Sequence, residues 1–405
     1  MNTTIKIAWK NVGRNKLRSA VVIISVAIGL WGGVFSMALF NGLNNQRTQS
    51  TINTITSHVQ IHDSLYLVDL DAKYVVQNEP EVISWLKADK RVKQYSERMI
   101  VSGMGSSAQG GSGVQVTGIN PDNETQVTNI HAKLKEGSYL GEKWKNQVVI
   151  GKKLADKLKL KIRSKLILTF QDANGDLTAG AFRVAGIYKS NNSVYDQMNV
   201  FVKQTDLAKV YGKDMIQEIA VVLHELDDSK LVQDDLNAQY PANKSQYWGE
   251  VAPEIGYADQ VMSSMLYIFV VIILMAMAFG ILNSMMMAVL ERRHELGMLM
   301  CIGMSKGKIF AMIMWETIFI SLIGGPLGLL LTVITVSYFQ SVGIDLSRFG
   351  EGLSSIGLDS NIYPDLSFIY YINITVMIIV TAVISAIYPA RKAIAYNPAE
   401  AIRSL

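Results

Sequence analysis

The segment with the outline of a phosphate-binding loop is Gly303-Met-Ser-Lys-Gly307-Lys308-Ile309. A working loop of that kind has four residues between its glycines and a Ser or Thr after the lysine. Here three residues separate the glycines, Ile309 follows Lys308, and no strand-like run comes before. ATP chemistry is therefore not expected on this chain. His58 and His62 fall on one face of a strand-like run, but strand positions four apart lie ~13 Å from each other. They cannot share a metal, and they read as surface polar positions. His131 and His224 have no partner readable from the sequence, and Ser193, Tyr195 and Asp196 read as turn residues. The lone cysteine, Cys301, excludes an intramolecular disulfide. No catalytic residue and no metal site is expected.

One charged cluster has a clearer use. Glu291, Arg292 and Glu295 stand at the start of a short helical pattern with Leu296, Leu299, Met300 and Gly303 on one face. Acids suit a helix N-terminus because the helix dipole is positive there. Such a helix can be a plain connector or a grip for a partner. Glu316, a short way downstream, reads as a polar anchor or helix partner before a proton carrier.

The elements around these residues are membrane spans. Ser19–Phe40, Val261–Leu290, Thr317–Ile344 and Leu366–Ala390 contain no charged residue. About 20 apolar residues of helix cross the hydrocarbon core, and the second and third stretches are longer than needed. The first is too long for a signal-peptide core and is not closed by a small-residue cleavage site, so it stays as an anchor. Hydrophobic residues make up 49% of the chain and charged ones only 18%, against an average near ~25% charged. Lys6, Lys10, Arg14, Lys16 and Arg18 precede the first span. Arg292, Arg293, Lys306 and Lys308 lie between the second and third, and Arg391, Lys392 and Arg403 follow the fourth. The loop between the third and fourth is acidic. Basic loops stay in the cytoplasm, so both termini and the 291–308 segment are expected inside and the long segment after the first span outside. Ile5, Ala8, Trp9 and Val12 share a helical face, and Lys6, Lys10 and Arg14 form a basic stripe. They describe an amphipathic helix on the inner membrane surface, with Trp9 at the headgroups, or simply a basic flank that sets orientation.

The expected organisation is an entry helix at 1–18, spans at 19–43, 259–290, 309–344 and 366–390, and an extracytoplasmic domain at 44–258. A cytoplasmic helix and loop fill 291–308, an outer loop 345–365 and a cytoplasmic tail 391–405. The fold class is a four-helix membrane protein carrying a mixed α/β domain. In that domain, His58–His62, Val114–Ile119, Gln147–Ile150, Lys165–Phe170, Phe182–Tyr188, Val200–Val202 and Ile219–Leu223 read as strands. Glu81–Ala88, Lys152–Leu158, Thr205–Val210 and Ser229–Gln239 read as helices. Asn174-Gly175 reads as a hairpin turn, and Gly103–Gly113 as a flexible loop. The pairs Gly29/Gly33 and Gly324/Gly328 would let helices pack closely.

The stretch Glu291-Arg-Arg-His-Glu295-Leu-Gly297-Met-Leu-Met-Cys-Ile-Gly303 resembles the E-R-x-x-E-I-G-x-x-x-A-x-G signature of FtsX/MacB-type ABC permeases, with Leu296 for Ile and Cys301 for Ala. Glu316 with Gly324-Gly325-Pro326-Leu-Gly328 resembles the third span of that family. Tyr388–Ala393 and Asn397–Arg403 resemble its C-terminal motifs, and Asn11–Arg18 its entry helix. Val116–Glu124, Glu136–Leu140, Val149–Ala155, Val184–Tyr188 and Ser57–Ile61 are similar to the periplasmic core of lipoprotein-releasing permeases. The resemblance implies two lobes, one inserted at about 110–205. It implies a separate cytoplasmic ATPase, holding ATP and Mg, that grips Glu291, Arg292, Glu295, Gly297 and Gly303. It also implies a second or sister permease copy, no cofactor on this chain, and a place in the bacterial inner membrane with the large domain in the periplasm. The expected function is mechanotransmission for lipoprotein release, with a lipoprotein substrate and a periplasmic carrier as partners and no nucleic acid. The alternatives are efflux of peptides or macrolide-like compounds, a cell-division regulator, a signalling or structural membrane protein without an ATPase, and a membrane-bound hydrolase.

Overall fold

The computed structural model describes residues 3–14, 16–69, 71–141, 144–355 and 358–395. The motif at 397–403 lies outside them. The chain divides into a membrane unit (1–45, 260–345 and 361–405) and an extracytoplasmic unit (46–259 and 346–360).

In chain order, α1 (Thr3–Arg14) and α2 (Lys16–Thr51) come first, and a π turn at Ile52–Thr56 leads to β1 (Val59–Asp63). Next come α3 (Tyr66–Asp69), α4 (Glu79–Ala88), β2 (Val92–Ser107), β3 (Gly110–Ile119), α5 (Pro121–Val127), a 3-10 turn at Ile130–Lys133, and β4 (Leu134–Gly137). They are followed by β5 (Gln147–Gly151), α6 (Lys152–Lys157), β6 (Lys165–Gln171), β7 (Leu177–Tyr188), α7 (Ser193–Met198), β8 (Asn199–Lys203) and α8 (Gln204–Tyr211). The extracytoplasmic unit then closes with β9 (Glu218–Leu223), α9 (Ser229–Gln239), β10 (Asn243–Tyr247) and α10 (Trp248–Val251). Last are α11 (Pro253–Glu291), α12 (Arg293–Cys301), α13 (Lys306–Val342), β11 (Ile344–Asp345), α14 (Gly350–Ser355), β12 (Asn361–Ile362) and α15 (Phe368–Ile394).

Four helices are long and apolar enough to cross a membrane: Ser19–Thr56, Ser264–Glu291, Lys306–Val342 and Phe368–Ile394. They overlap the four charge-free stretches, the first and third running well beyond them. Two apolar clusters hold the membrane unit together. One gathers Ala8 and Val12 of α1, Val22 and Val26 of α2, Met285 of α11, Leu296 of α12 and Met312 of α13. The other gathers Leu30, Val34 and Met37 of α2 with Val270, Val336 and Ile374 from three further helices. A Cβ at Gly324 would sit 3.1 Å from the Ile23 carbonyl oxygen, and one at Gly328 would sit 2.7 Å from that of Ala27. The small-residue pair of α13 thus lies flush on the α2 backbone, as such pairs allow. Gly33 faces Ile273 of α11, while Gly29 has open space beside its Cβ position.

The extracytoplasmic unit is one sheet in the order β10-β1-β9-β2-β3-β8-β5-β7-β4, with β6 bridging β2 and β7. Two halves share it. Val59, Val82, Val221 and Leu236 build the core of the first half. Val116, Ile150, Leu168, Phe182 and Val202 build that of the second, inserted half. Each strand and helix read from the sequence is present, to within a few residues at its ends. The hairpin turn expected at Asn174-Gly175 is present: β6 and β7 pair up to Gln171↔Leu177, and the pair lies in the 172–176 connection, with Gly175 at φ +87° and the Asp172 carboxylate accepting from the N–H groups of Asn174 and Asp176. Two expectations are corrected. The 103–113 segment is not a flexible loop: it is the end of the β2–β3 hairpin, paired from Gly103↔Val114 to Ser107↔Gly110. Its glycines admit close neighbours, since a Cβ at Gly103 would collide with β6 at Thr169. Nor is His62 at the surface. β1 is an interior strand with every residue buried, and the His62 ring stacks on Tyr66 at 5.2 Å.

Candidate functional site

The short helix α12 and its flanks form the site. Glu291 ends α11 and Arg292 forms the joint before α12. At the far end Gly303, at φ +98°, closes α12. Its N–H donates to Met300 O and that of Met304 to Leu299 O, at 3.1 and 3.0 Å. This is a Schellman close, which needs a left-handed residue and hence favours glycine. The segment that imitates a phosphate loop is therefore a helix stop followed by the start of α13.

The faces of α12 divide cleanly. Leu296 and Gly297 are buried, and Leu296, Leu299 and Met300 pack into the α1–α11–α13 cluster. Glu291, Glu295, Met298 and Ile302 are exposed. Arg292, expected to face a partner, turns inward. Its guanidinium donates to both carboxylate oxygens of Glu316 on α13, at 2.9 and 3.2 Å, and to the Asn11 carbonyl of α1 at 3.4 Å. Both side chains of the pair are about nine-tenths shielded. One residue thereby ties the joint to two other helices. Glu295 makes a second, more exposed ion pair with Arg14 at the end of α1. An exposed pair of that kind contributes little, on the order of 0–1 kcal/mol, so it orients the helix more than it holds it. A cleft of about 360 Å³ lies beneath, walled by Ile7, Met285, Leu299 and Met312, with the Arg292–Glu316 pair in its lining.

Helix α1 packs its Ala8 and Val12 onto this bundle. Trp9 is half-exposed and meets Phe319 of α13 edge-on, with ring centroids 5.1 Å apart. Ser19 of α2 donates to the Val12 carbonyl of α1 at 2.8 Å and so links the two helices. The Arg18 side chain lies outside the described residues.

Two features of the extracytoplasmic unit had no sequence signal. Arg98 of β2 is buried between Glu124 of α5, at 2.7 Å, and Glu218 of β9, at 2.5 Å. Thr128 adds a hydrogen bond to Glu124 at 2.9 Å. His62 approaches Glu218 at 3.7 Å and bonds the Gln217 carbonyl through Nδ1. Burial lowers its pKa, against the pull of Glu218. This is a structural lock of satisfied charges that ties the two halves of the sheet together, and nothing in it is free to do chemistry. The second feature is the end of the first long helix. Ile52–Thr56 widens into a π turn closed by Ser57 N–H to Ile52 O at 2.9 Å, and Ser57 sits at φ 55°, ψ −164°. That region belongs essentially to glycine and costs a serine about 1–3 kcal/mol. The buried Ser57 hydroxyl also has no hydrogen-bond partner among the described residues. Among the described residues, no group of three or more His, Cys, Asp or Glu is placed to hold a metal ion.

Comparison with known proteins agrees with this architecture. Residues 19–239 match the family described as MacB-like periplasmic core domain, and residues 267–398 match FtsX-like permease C-terminal. The chain is 21% identical to the lipoprotein-releasing system transmembrane protein LolE of Haemophilus influenzae, over the whole of both chains. It is 23% identical to an uncharacterised ABC transporter permease of Methanocaldococcus jannaschii, over 98% of this chain and 97% of that one. It is 27% identical to the macrolide export ATP-binding/permease protein MacB of Escherichia coli, over 40% of this chain and 26% of that one. With four apolar helices, a mixed α/β extracytoplasmic unit and both family matches, the chain belongs to the ABC transporter permeases of the FtsX/MacB type.

Proposed function

We propose that this permease passes ATP-driven movement from a separate cytoplasmic ATPase to its extracytoplasmic unit, and that the output is release of a lipoprotein from the inner membrane. The observation that carries the reading is the seating of α12. Its outer face presents Glu291 and Glu295, while Arg292 bonds α13 and α1 at the joint behind it. A push on α12 cannot be absorbed locally, because a shielded ion pair links it to a full membrane helix. The ATPase grips the exposed carboxylates and the short helix closed by Gly303, and Arg292 serves as the anchor. ATP and Mg reside on that partner. Two ATPase subunits need two docking helices, so two permease chains assemble. Both termini and α12 lie on the cytoplasmic side, as the basic flanks require.

The lipoprotein substrate is favoured because the LolE match runs the full length of both chains. The macrolide exporter matches over less than half of this one. Reconstitution with the native ATPase in proteoliposomes separates the two. ATP-dependent transfer of a triacylated lipoprotein to a soluble acceptor is expected. ATP-dependent movement of a macrolide or peptide, with no lipoprotein release, would replace this output by efflux.

A further inference from the structure

Helix α2 and its π turn run unbroken from Lys16 to Thr56 and enter β1 within two residues of Ser57. A helix of that span measures about 60 Å at 1.5 Å per residue, twice the roughly 30 Å of a hydrocarbon core. Its end is fastened on two sides. On one side Ser57 leads directly into β1, between β9 and β10 in the first half of the sheet. On the other, widening the last turn turns carbonyl groups away from the helix axis, and the inserted half takes them up. Asn129 N–H donates to Asn53 O at 2.9 Å, and the Tyr195 hydroxyl donates to Thr54 O at 3.3 Å. The side chains form a relay as well: Lys133 Nζ donates to Thr54 Oγ1 at 3.1 Å, which donates to Asn129 Oδ1 at 3.1 Å. Burial lowers the pKa of Lys133, against the pull of Asp359 and Asp196. A π turn in place of an α-helical one commonly marks a functional position, and here it coincides with a left-handed serine.

We propose that this turn is a clasp, with Thr54 its positioning residue and Asn129, Lys133 and Tyr195 its partners, through which stalk movement reaches the inserted half of the domain. The inference rests on the mechanotransmission reading. Without the clasp, stalk movement reaches the inserted half only through the shared sheet and the Arg98 lock, and its response is much weaker.

The test is hydrogen exchange of the permease purified with its ATPase, with and without a non-hydrolysable ATP analogue. In the wild type, ATP-analogue-dependent changes in exchange are expected in both halves. In Thr54→Val/Lys133→Met/Tyr195→Phe they should remain in residues 46–63 and 218–247 and fall at least fivefold in residues 110–205, with ATP hydrolysis within twofold of wild type. Single Lys133→Met should show the same effect in part, and Lys133→Arg should restore it. The single pair keeps the test open if the triple variant does not fold. Undiminished changes in residues 110–205 of Lys133→Met, or of the triple variant, would overturn the clasp. A wild type with no ATP-analogue-dependent change anywhere in the extracytoplasmic unit would instead overturn the mechanotransmission reading.

Discussion

At the scale of residues, Arg292 and Glu316 are worth more to each other than to the fold. Their shielded pair replaces hydration that each charge would otherwise have, so losing one partner leaves the other charge poorly compensated. Breaking such a pair costs about 3–5 kcal/mol, while replacing both partners with apolar groups is often neutral. Arg292→Met and Glu316→Gln should each lower the thermal midpoint of the detergent-purified protein clearly. The double variant Arg292→Met/Glu316→Leu should recover most of the loss while the bundle no longer couples to α12. Equal losses in single and double variants would mean the pair holds the bundle by packing. A second prediction concerns acid. Burial first, and Lys93 second, pull the pKa of His58 down to about 4, and burial lowers that of His62. A histidine with a folded pKa below its unfolded value is protonated more readily in the unfolded chain, so stability falls as pH drops from about 6.5 toward 4. Burial would raise the pKa of Glu124, but Arg98 and its hydrogen bonds hold it below 4.5, so its contribution is lost at lower pH still. Denaturant unfolding at stepped pH should show a slope between 6.5 and 4 that His58→Gln reduces. An unchanged slope would place the titration elsewhere.

At the scale of elements, the α2–α13 contact makes a sharp contrast. A side chain at Gly328 would press into the Ala27 backbone, whereas one at Gly29 meets open space. Gly328→Leu should destabilise by about 1–3 kcal/mol or more through overpacking, and Gly29→Leu by little. Thermal midpoints in the same detergent decide between them. This scale is also where the sequence was most and least readable. Long charge-free stretches leave no soluble alternative, so the spans were plain. Strands rich in branched residues, such as Lys165–Gln171 and Glu218–Leu223, were plain as well. β2 was not, because Gln94, Ser96, Gly103 and Gly105 interrupt any alternation, and its pairing with β3, β6 and β9 supplies what its propensity lacks. β10, Asn-Lys-Ser-Gln-Tyr, is polar and exists because β1 pairs with it. Partners far apart in sequence were invisible for the same reason: Arg98 meets Glu124 and Glu218 across 26 and 120 residues. The motif places Arg292 among contact residues, and only the path of α13 back past the joint gives it the inward bond to Glu316. The π turn has no sequence mark, since Ile-Asn-Thr-Ile-Thr fits an ordinary helix equally well.

At the scale of the whole molecule, the proposed transmission would use three features. One end of the membrane unit presents a short helix anchored to its neighbours. Helices α2 and α11 each contain residues of both units. The α/β unit is tied internally by a buried charge lock and by the clasp at the π turn. The direct test is purification from native membranes in mild detergent, comparing the wild type with Glu291→Ala/Glu295→Ala and with Arg14→Ala. An ABC ATPase should accompany the wild type and Arg14→Ala and be lost from the double variant, whose thermal midpoint stays near that of wild type. If no ATPase accompanies the wild-type chain under any condition that preserves its fold, the account of α12 as a coupling helix is contradicted.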